Sequence, residues 1–334
     1  MPKTVLFLLA AVVAAVSLAA CGGGDDDALV VYSGRNQDLV GKLLQQYQDD
    51  TGNKLEIRYG DSADLAATLL EEGDRTPADV FLSQDAGALG ALQAEDRLAP
   101  LPQPVLRKVD ARFRSDHGRW VGLTGRARVI AYDKRELEPA DLPKSVFDVP
   151  KPEWKGRVGW APTNPSFETF VTAMRKLKGE DVARRWLEDM VGNDTRAYPN
   201  NIAVRDAIAN GEIDIGLINH YYVAEAVAEE GEDYPVGVFS PPNRDVGALI
   251  NVSGIAILAG SEKAGKAREF IDYLLSRRGQ EYFANVTKEY PLASGVRPDP
   301  ALTPLDRIQA PRIDLSDLAG LQETVKLIQE TGAL

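Results

Sequence analysis

Two adjacent tyrosines, Tyr221 and Tyr222, stand where an apolar run meets an Ala- and Glu-rich run. The first run, residues 213–218, is apolar except for Asp214 and predicts a strand buried on both faces. The second, residues 221–230, predicts a helix that stops at Gly231. Asn219 falls where an N-cap belongs. Neighbours on a helix diverge by about 100°, so paired tyrosines ordinarily split between core and surface. At a helix start both hydroxyls can instead lean into the crevice at the strand's carboxyl end, where open α/β sheets bind ligands. A phenol keeps its proton up to about pH 10 in water. A small trivalent cation such as Fe³⁺ favours hard anionic oxygen and can displace that proton. Two phenolates would cancel most of its charge. The competing account is ordinary packing, with one ring in the core and the other hydrogen-bonded at the surface.

The rest of the composition narrows the field. The chain has 334 residues, 44% hydrophobic and 26% charged, enough for two domains of ordinary size. Its net charge of -12 argues against nucleic acid and anionic membrane surfaces as partners, though not against a small anion in a local site. With two histidines, His117 and His220, and one cysteine, zinc sites of the usual kind are excluded. Neither a Gly-x-Ser-x-Gly elbow, a phosphate-binding Gly-Lys-Ser/Thr loop nor a His-Glu-x-x-His motif occurs, so an enzyme is not expected.

The beginning of the chain points to export. Lys3 precedes an apolar stretch over residues 5–20, long enough for a signal-peptide core and short for a membrane span. It closes on Leu18-Ala19-Ala20-Cys21-Gly22, which looks like a bacterial lipobox, and Cys21 is the lone cysteine. Residues 1–20 are expected to be a signal peptide. Residues 21–28, rich in Gly and Asp, are expected to be a flexible tether lipidated at Cys21. The mature protein would then be extracytoplasmic and anchored to the cell membrane.

Strand and helix patterns alternate along the remainder, which predicts an α/β fold with largely parallel sheets. Two long β runs, 120–132 and 247–258, are suited to cross between lobes. The expected architecture has one lobe from residues 29–125 and 250–300 and another from 126–249 and 301–334. This is a two-lobed periplasmic-binding-protein fold of type II, with two crossing hinge strands and a ligand cleft between the lobes.

Val30-Val-Tyr-Ser-Gly34, Pro77-Ala-Asp-Val-Phe81, Gly125-Arg-Ala-Arg-Val-Ile130, Asn210-Gly-Glu-Ile-Asp214, Leu217-Ile-Asn-His-Tyr-Tyr222 and Glu289-Tyr-Pro-Leu292 together carry a resemblance over nearly all of the mature chain. The chain resembles the bacterial ferric-iron-binding periplasmic proteins, the solute-binding components of iron(III) ABC transporters. The resemblance implies that Tyr221 and Tyr222 bind iron. The position after Ser33-Gly34-Arg35 is often His in the family and is Asn36 here; the position after Ser83 is often Glu and is Gln84 here. Amides are weaker ligands for Fe³⁺, so the second lobe is expected to hold most of the metal, with anion or water completing the shell. Asp85 is a possible substitute ligand. Phe167 lies where some relatives have a third tyrosine, and it cannot ligate.

The resemblance also implies a synergistic anion, carbonate or phosphate. Arg35 and Arg126 could hold it, since guanidinium matches carbonate in a bidentate way. Asn164, Pro165 and Ser166 precede a predicted helix whose free N–H groups favour an anion. Asn201 and Asn219 match family positions that donate to the anion. His220 reads as a solvent-facing helix-start residue and His117 as an exposed turn. The implied partner is an ABC permease, and a monomer is expected. The alternative is the same fold with another solute: a polyamine, a phosphonate, thiamine or an oxyanion.

Overall fold

The computed structural model describes residues 27–334. The signal segment, Cys21 and nearly all of the tether lie outside the described residues. The chain runs β1 (Leu29–Ser33), α1 (Gln37–Thr51), β2 (Leu55–Tyr59), α2 (Ser62–Glu72), β3 (Val80–Ser83), α3 (Ala86–Ala94) and the single turn α4 (Gln103–Leu106). The long β4 (Val121–Asp133) leads to β5 (Val158–Trp160), α5 (Pro165–Lys178), α6 (Glu180–Gly192), β6 (Arg196–Ala197) and α7 (Asn201–Ala209). Then come β7 (Ile215–Asn219), α8 (Tyr221–Glu230) and β8 (Val236–Phe239). The chain ends with β9 (Ile250–Ile257), α9 (Ala264–Leu274), α10 (Arg277–Asn285), β10 (Tyr290–Pro291) and α11 (Leu321–Glu330). Among the described residues no helix is long and apolar enough to cross a membrane.

The strands follow the order β2-β1-β3-β9-β4-β7-β5-β6. β1 pairs in parallel with β2 and β3, and β7 pairs in parallel with β5. The two runs expected to cross do so. All of β4 and β9 is buried, and β9 is antiparallel to both β3 and β4. β4 pairs with β9 as far as Ala127 and with β7 from Arg128 onward, so one continuous strand belongs to both halves of the sheet.

Local sequence explains these elements. α1 buries Val40, Leu43, Leu44 and Tyr47 on one face, is capped by Asn36, and ends at Gly52, whose φ of 72° favours glycine. Apolar side chains from β4, α7, β7 and α8, including Val129, Val204, Ile208, Ile218 and Val223, form a core of their own behind the tyrosine junction. Gly216 permits that packing: a Cβ there would lie 2.4 Å from Val204 Cγ1.

Three expectations shift. The buried strand is Ile215–Asn219, so Asn219 ends the strand, and the cap position falls to His220, which has helical torsions and no side-chain cap bond. α5 starts at Pro165, ahead of Phe167, because proline's missing N–H costs nothing at the first helical position. β9 starts at Ile250 because residues 246–248 form a 3₁₀ turn, with Asp245 accepting from the Gly247 N–H at 2.8 Å. In the tail, the turn over residues 315–319 lies against α3, where Gly87 and Gly90 let the Leu318 and Ser316 carbonyls approach closely. α11 packs on the other side, with Thr324 Oγ1 2.7 Å from Thr172 Oγ1 of α5.

Candidate metal and anion site

The tyrosine junction is held from three sides. β7 pairs with β4 in a register that sets Asn219 opposite Arg128. The core behind α7 and α8 fixes the helix. Arg205 Nη1 donates to the Tyr222 carbonyl at 3.1 Å. The two phenol rings do not diverge: their centroids are 4.2 Å apart at 33°. Tyr221 is buried and Tyr222 half-buried. Burial, then the neighbouring Tyr222, pushes the Tyr221 phenol well above its ordinary range, while Arg126 pulls it down. Tyr221 is therefore neutral at ordinary pH unless a cation displaces its proton.

His220 is not solvent-facing. It is buried, its Nδ1 accepts from the Ala127 N–H at 3.2 Å, and its ring stacks on Tyr290 with centroids 4.5 Å apart. Burial holds its pKa down to about 4, so the imidazole is neutral. The sequence pattern missed this because β4, 93 residues earlier, supplies the covering strand. His117 is exposed, as expected.

Around the tyrosines stand three buried arginines. Arg35, in the loop after β1, grips Glu289 with both arms, at 2.8 and 2.7 Å. Arg126 Nε lies 3.9 Å from the same carboxylate, and Thr287 Oγ1 donates to it at 2.8 Å. Burial would raise the Glu289 carboxyl, but Arg35 holds it below the ordinary carboxylate range. Glu289 was visible only as part of a motif, since its partner is 254 residues away in the chain. Arg126 also donates to the Gln84 carbonyl. The third, Arg128, escaped the sequence reading; a buried strand interior is a poor place for an arginine, and that was the available signal.

Three of the residues expected to hold an anion, Asn164, Ser166 and Asn201, come together at the start of α5. Asn164 caps the helix, its Oδ1 accepting from the Ser166 N–H at 3.0 Å and from Ser166 Oγ at 2.6 Å. Asn201 Nδ2 reaches Asn164 Oδ1 at 3.3 Å and Ser166 Oγ at 3.4 Å. Arg128 Nη1 reaches Ser166 Oγ at 3.4 Å. Phe167, next in sequence, points away into an aromatic core with Trp160, Phe170 and Trp186.

The first-lobe positions are less convergent. Asn36 is exposed, and its amide oxygen accepts from the Asp38 N–H at 2.9 Å as a helix cap. Gln84 is half-buried, with its Oε1 unbonded. Asp85 is buried and caps α3, accepting from the Ala88 N–H at 3.0 Å; burial raises its carboxyl.

Buried polar side-chain atoms without a protein partner call for an account, and a bound ligand or ion is one that supplies it. Among the described residues these are Nε of Arg35, Arg126 and Arg128, Oε1 of Gln84, Oδ1 of Asn201, Nε2 of His220, Nδ2 of Asn251 and Oγ1 of Thr124. Every one sits on the crossing strands or on a loop or helix start beside them. A separate cavity of about 920 Å³, lined by Phe113, Arg114, Arg244, Ile308 and Arg312 among others, contains none of these residues.

The family model for bacterial extracellular solute-binding proteins matches residues 75–314. The chain belongs to this family. Among solute-binding proteins, it is 35% identical to the Fe(3+)-binding periplasmic protein of Serratia marcescens over 92% of this chain and 90% of that one. The crystal structure of iron-bound HitA from Pseudomonas aeruginosa superposes with a TM-score of 0.84 at 35% identity, covering 91% of this chain and 99% of that one. A Trichodesmium protein in complex with iron and citrate ligands gives a TM-score of 0.79 at 29% identity, covering 91% and 99%. The fold of this solute-binding protein is the two-lobed type II form.

Proposed function

We propose that this solute-binding protein captures Fe³⁺ through the phenolates of Tyr221 and Tyr222 together with a synergistic anion, carbonate or phosphate, and delivers it to an ABC permease. The observation that carries the reading is the close, tilted pair of phenol rings beside three buried arginines and several buried polar atoms without a partner. Among the described residues no three His, Cys, Asp or Glu side chains are grouped to hold a metal. Anionic donors would thus come from the phenols and the anion. The Fe(3+)-binding relative from Serratia and the iron-bound structure from Pseudomonas support the same reading.

In this account Asn164, Ser166, Asn201 and Asn219 cradle the anion. Arg126 faces it, and Arg35 acts through Glu289. Gln84 Oε1 is free to complete the shell, while water takes the place that the capping Asn36 leaves. The lobes divide as residues 29–125 with 250–300 and 126–249 with 301–334. Closure about β4 and β9 buries the ion and presents the closed form to the permease. The protein works as a monomer without turnover, held to the membrane by lipid on Cys21; an intact mass from a native host lacking both cleavage and lipid would refute the anchor.

The deciding experiment is a visible absorption titration of metal-stripped protein with Fe³⁺, carbonate or phosphate supplied. Tyrosinate bound to Fe³⁺ gives a charge-transfer band, expected in wild type and absent in Tyr221→Phe/Tyr222→Phe. No band in wild type would return the tyrosines to packing. It would favour a second reading, an oxyanion as the sole solute, which the arginines and the Asn164–Ser166–Asn201 cluster support.

A further inference from the structure

Arg128 is 3% exposed and lies in the interior of β4. Its Nη2 donates to the Leu217 carbonyl at 2.6 Å, its Nη1 reaches Ser166 Oγ at 3.4 Å, and its Nε bonds to nothing. Its guanidinium carbon sits 5.5 Å from the ring centroids of both Phe167 and Phe170. No carboxylate among the described residues forms an ion pair with it. Arg35 and Arg126, by contrast, share Glu289. A buried guanidinium without a counter-charge loses several kcal/mol of hydration, more than one carbonyl and two ring faces return. Burial lowers its pKa to about 9, and the nearby Tyr222 and Tyr221 oppose that fall. The cation therefore persists at neutral pH and awaits negative charge from the cleft.

We infer that Arg128 couples the anion cradle to the tyrosine pair and makes the site demand a doubly charged anion. The inference rests on the iron reading above. One arm holds β7, the strand that leads into Tyr221; the other touches Ser166 at the start of α5. The guanidinium therefore sets the spacing between the two halves of the site. Charge gives the valence. Fe³⁺ with two phenolates carries one net positive charge, and Arg128 adds a second. Arg35 and Arg126 share the single carboxylate of Glu289, so that cluster also leaves positive charge beside the site. Glu168, held up to about 7 by burial and by Asp61 and Asp85, is part-protonated at neutral pH. A monoanion leaves a buried positive charge, whereas carbonate or hydrogen phosphate neutralises both.

The test compares full-length wild type, Arg128→Met and Arg128→Lys, each stripped and loaded with Fe³⁺ plus hydrogen phosphate, carbonate or acetate. The readouts are the visible band, apparent affinity by competition with an aminopolycarboxylate chelator, and the thermal midpoint. Wild type should load with the dianions and at least tenfold more weakly with acetate. Arg128→Met keeps an apolar stem against the two phenylalanines; it should bind iron about 10- to 100-fold more weakly and lose the preference for dianions. Arg128→Lys should keep that preference but shift the band, because a point charge cannot hold both arms. Wild-type affinity and anion preference in Arg128→Met would overturn the inference. If that variant does not fold, an unshifted band and unchanged affinity in Arg128→Lys would overturn it. A lowered midpoint with unchanged band and preference in both variants would reduce Arg128 to packing. Absence of a band in wild type would instead remove the iron reading beneath it.

Discussion

Glu289 shows how one carboxylate can organise a cleft. It receives both arms of Arg35, a hydroxyl from Thr287 and the field of Arg126, all out of water. Breaking a buried pair from one side leaves an uncompensated charge, which costs about 3–5 kcal/mol. Glu289→Gln is therefore expected to lower the stability of the metal-free protein by that order, read as a fall in the urea midpoint. Its pH dependence has a definite sign. The folded Glu289 carboxyl lies below its unfolded value of 4.5, so its contribution is present above that pH and is lost as the pH falls through the folded value. His220 acts in the same direction. It titrates near 4 when folded and 6.5 when unfolded, so the unfolded chain takes up the extra proton between those values. Glu168 and Glu225, raised to about 7, work the other way, since their contribution fades as pH rises from 4.5 through 7. The urea midpoint of wild type should fall as the pH drops below 4.5, where Glu289 and the last part of the His220 titration both act against the folded state, and Glu289→Gln should flatten that fall.

At the scale of elements, β7 and α7 decide where the tyrosines stand. Gly216 faces Val204 and Ile208, and a methyl group there would come within 2.4 Å of the first. Overpacking of this kind costs about 1–3 kcal/mol. Gly216→Ala should lower the thermal midpoint and, by displacing β7, weaken the charge-transfer band as well. A lowered midpoint with a full-strength band would mean that the junction tolerates movement of its strand. α5 carries a related lesson. Asn164 serves as its cap and as a member of the anion cluster, so the cap and binding roles share one side chain. Asn36, by contrast, is a cap whose oxygen is already engaged.

For the whole molecule, two strands joining two halves make a hinge. β4 changes partners between Ala127 and Arg128, and β9 runs beside it. A ligand gripping residues from both halves favours the closed form by its differential affinity for that form. The radius of gyration from small-angle scattering should fall when Fe³⁺ and phosphate are added together, and stay unchanged with phosphate alone. The thermal midpoint should rise with it, since a ligand at one hundred times its Kd stabilises the folded state by about 2.7 kcal/mol. An unchanged radius with a raised midpoint would indicate binding without closure.

The alternation of strand and helix, the two long β runs and the Tyr221–Tyr222 junction were all legible in the chain, because each rests on local periodicity and caps. So were Asn164 and Ser166, which lie two residues apart at one helix start. What the chain could not reveal was long-range pairing. Arg35 was expected to face an anion, but its fork is filled by Glu289 from the far end of the sequence. His220 was read as exposed, yet β4 and Tyr290 cover it. Arg128 drew no notice, because only the meeting of β4, β7 and α5 reveals a buried cation without a counter-ion. Local sequence determined the elements and the phenols they present. Tertiary structure decided which charges were already satisfied, because burial and the identity of the facing group are properties of the packed lobes rather than of any one segment.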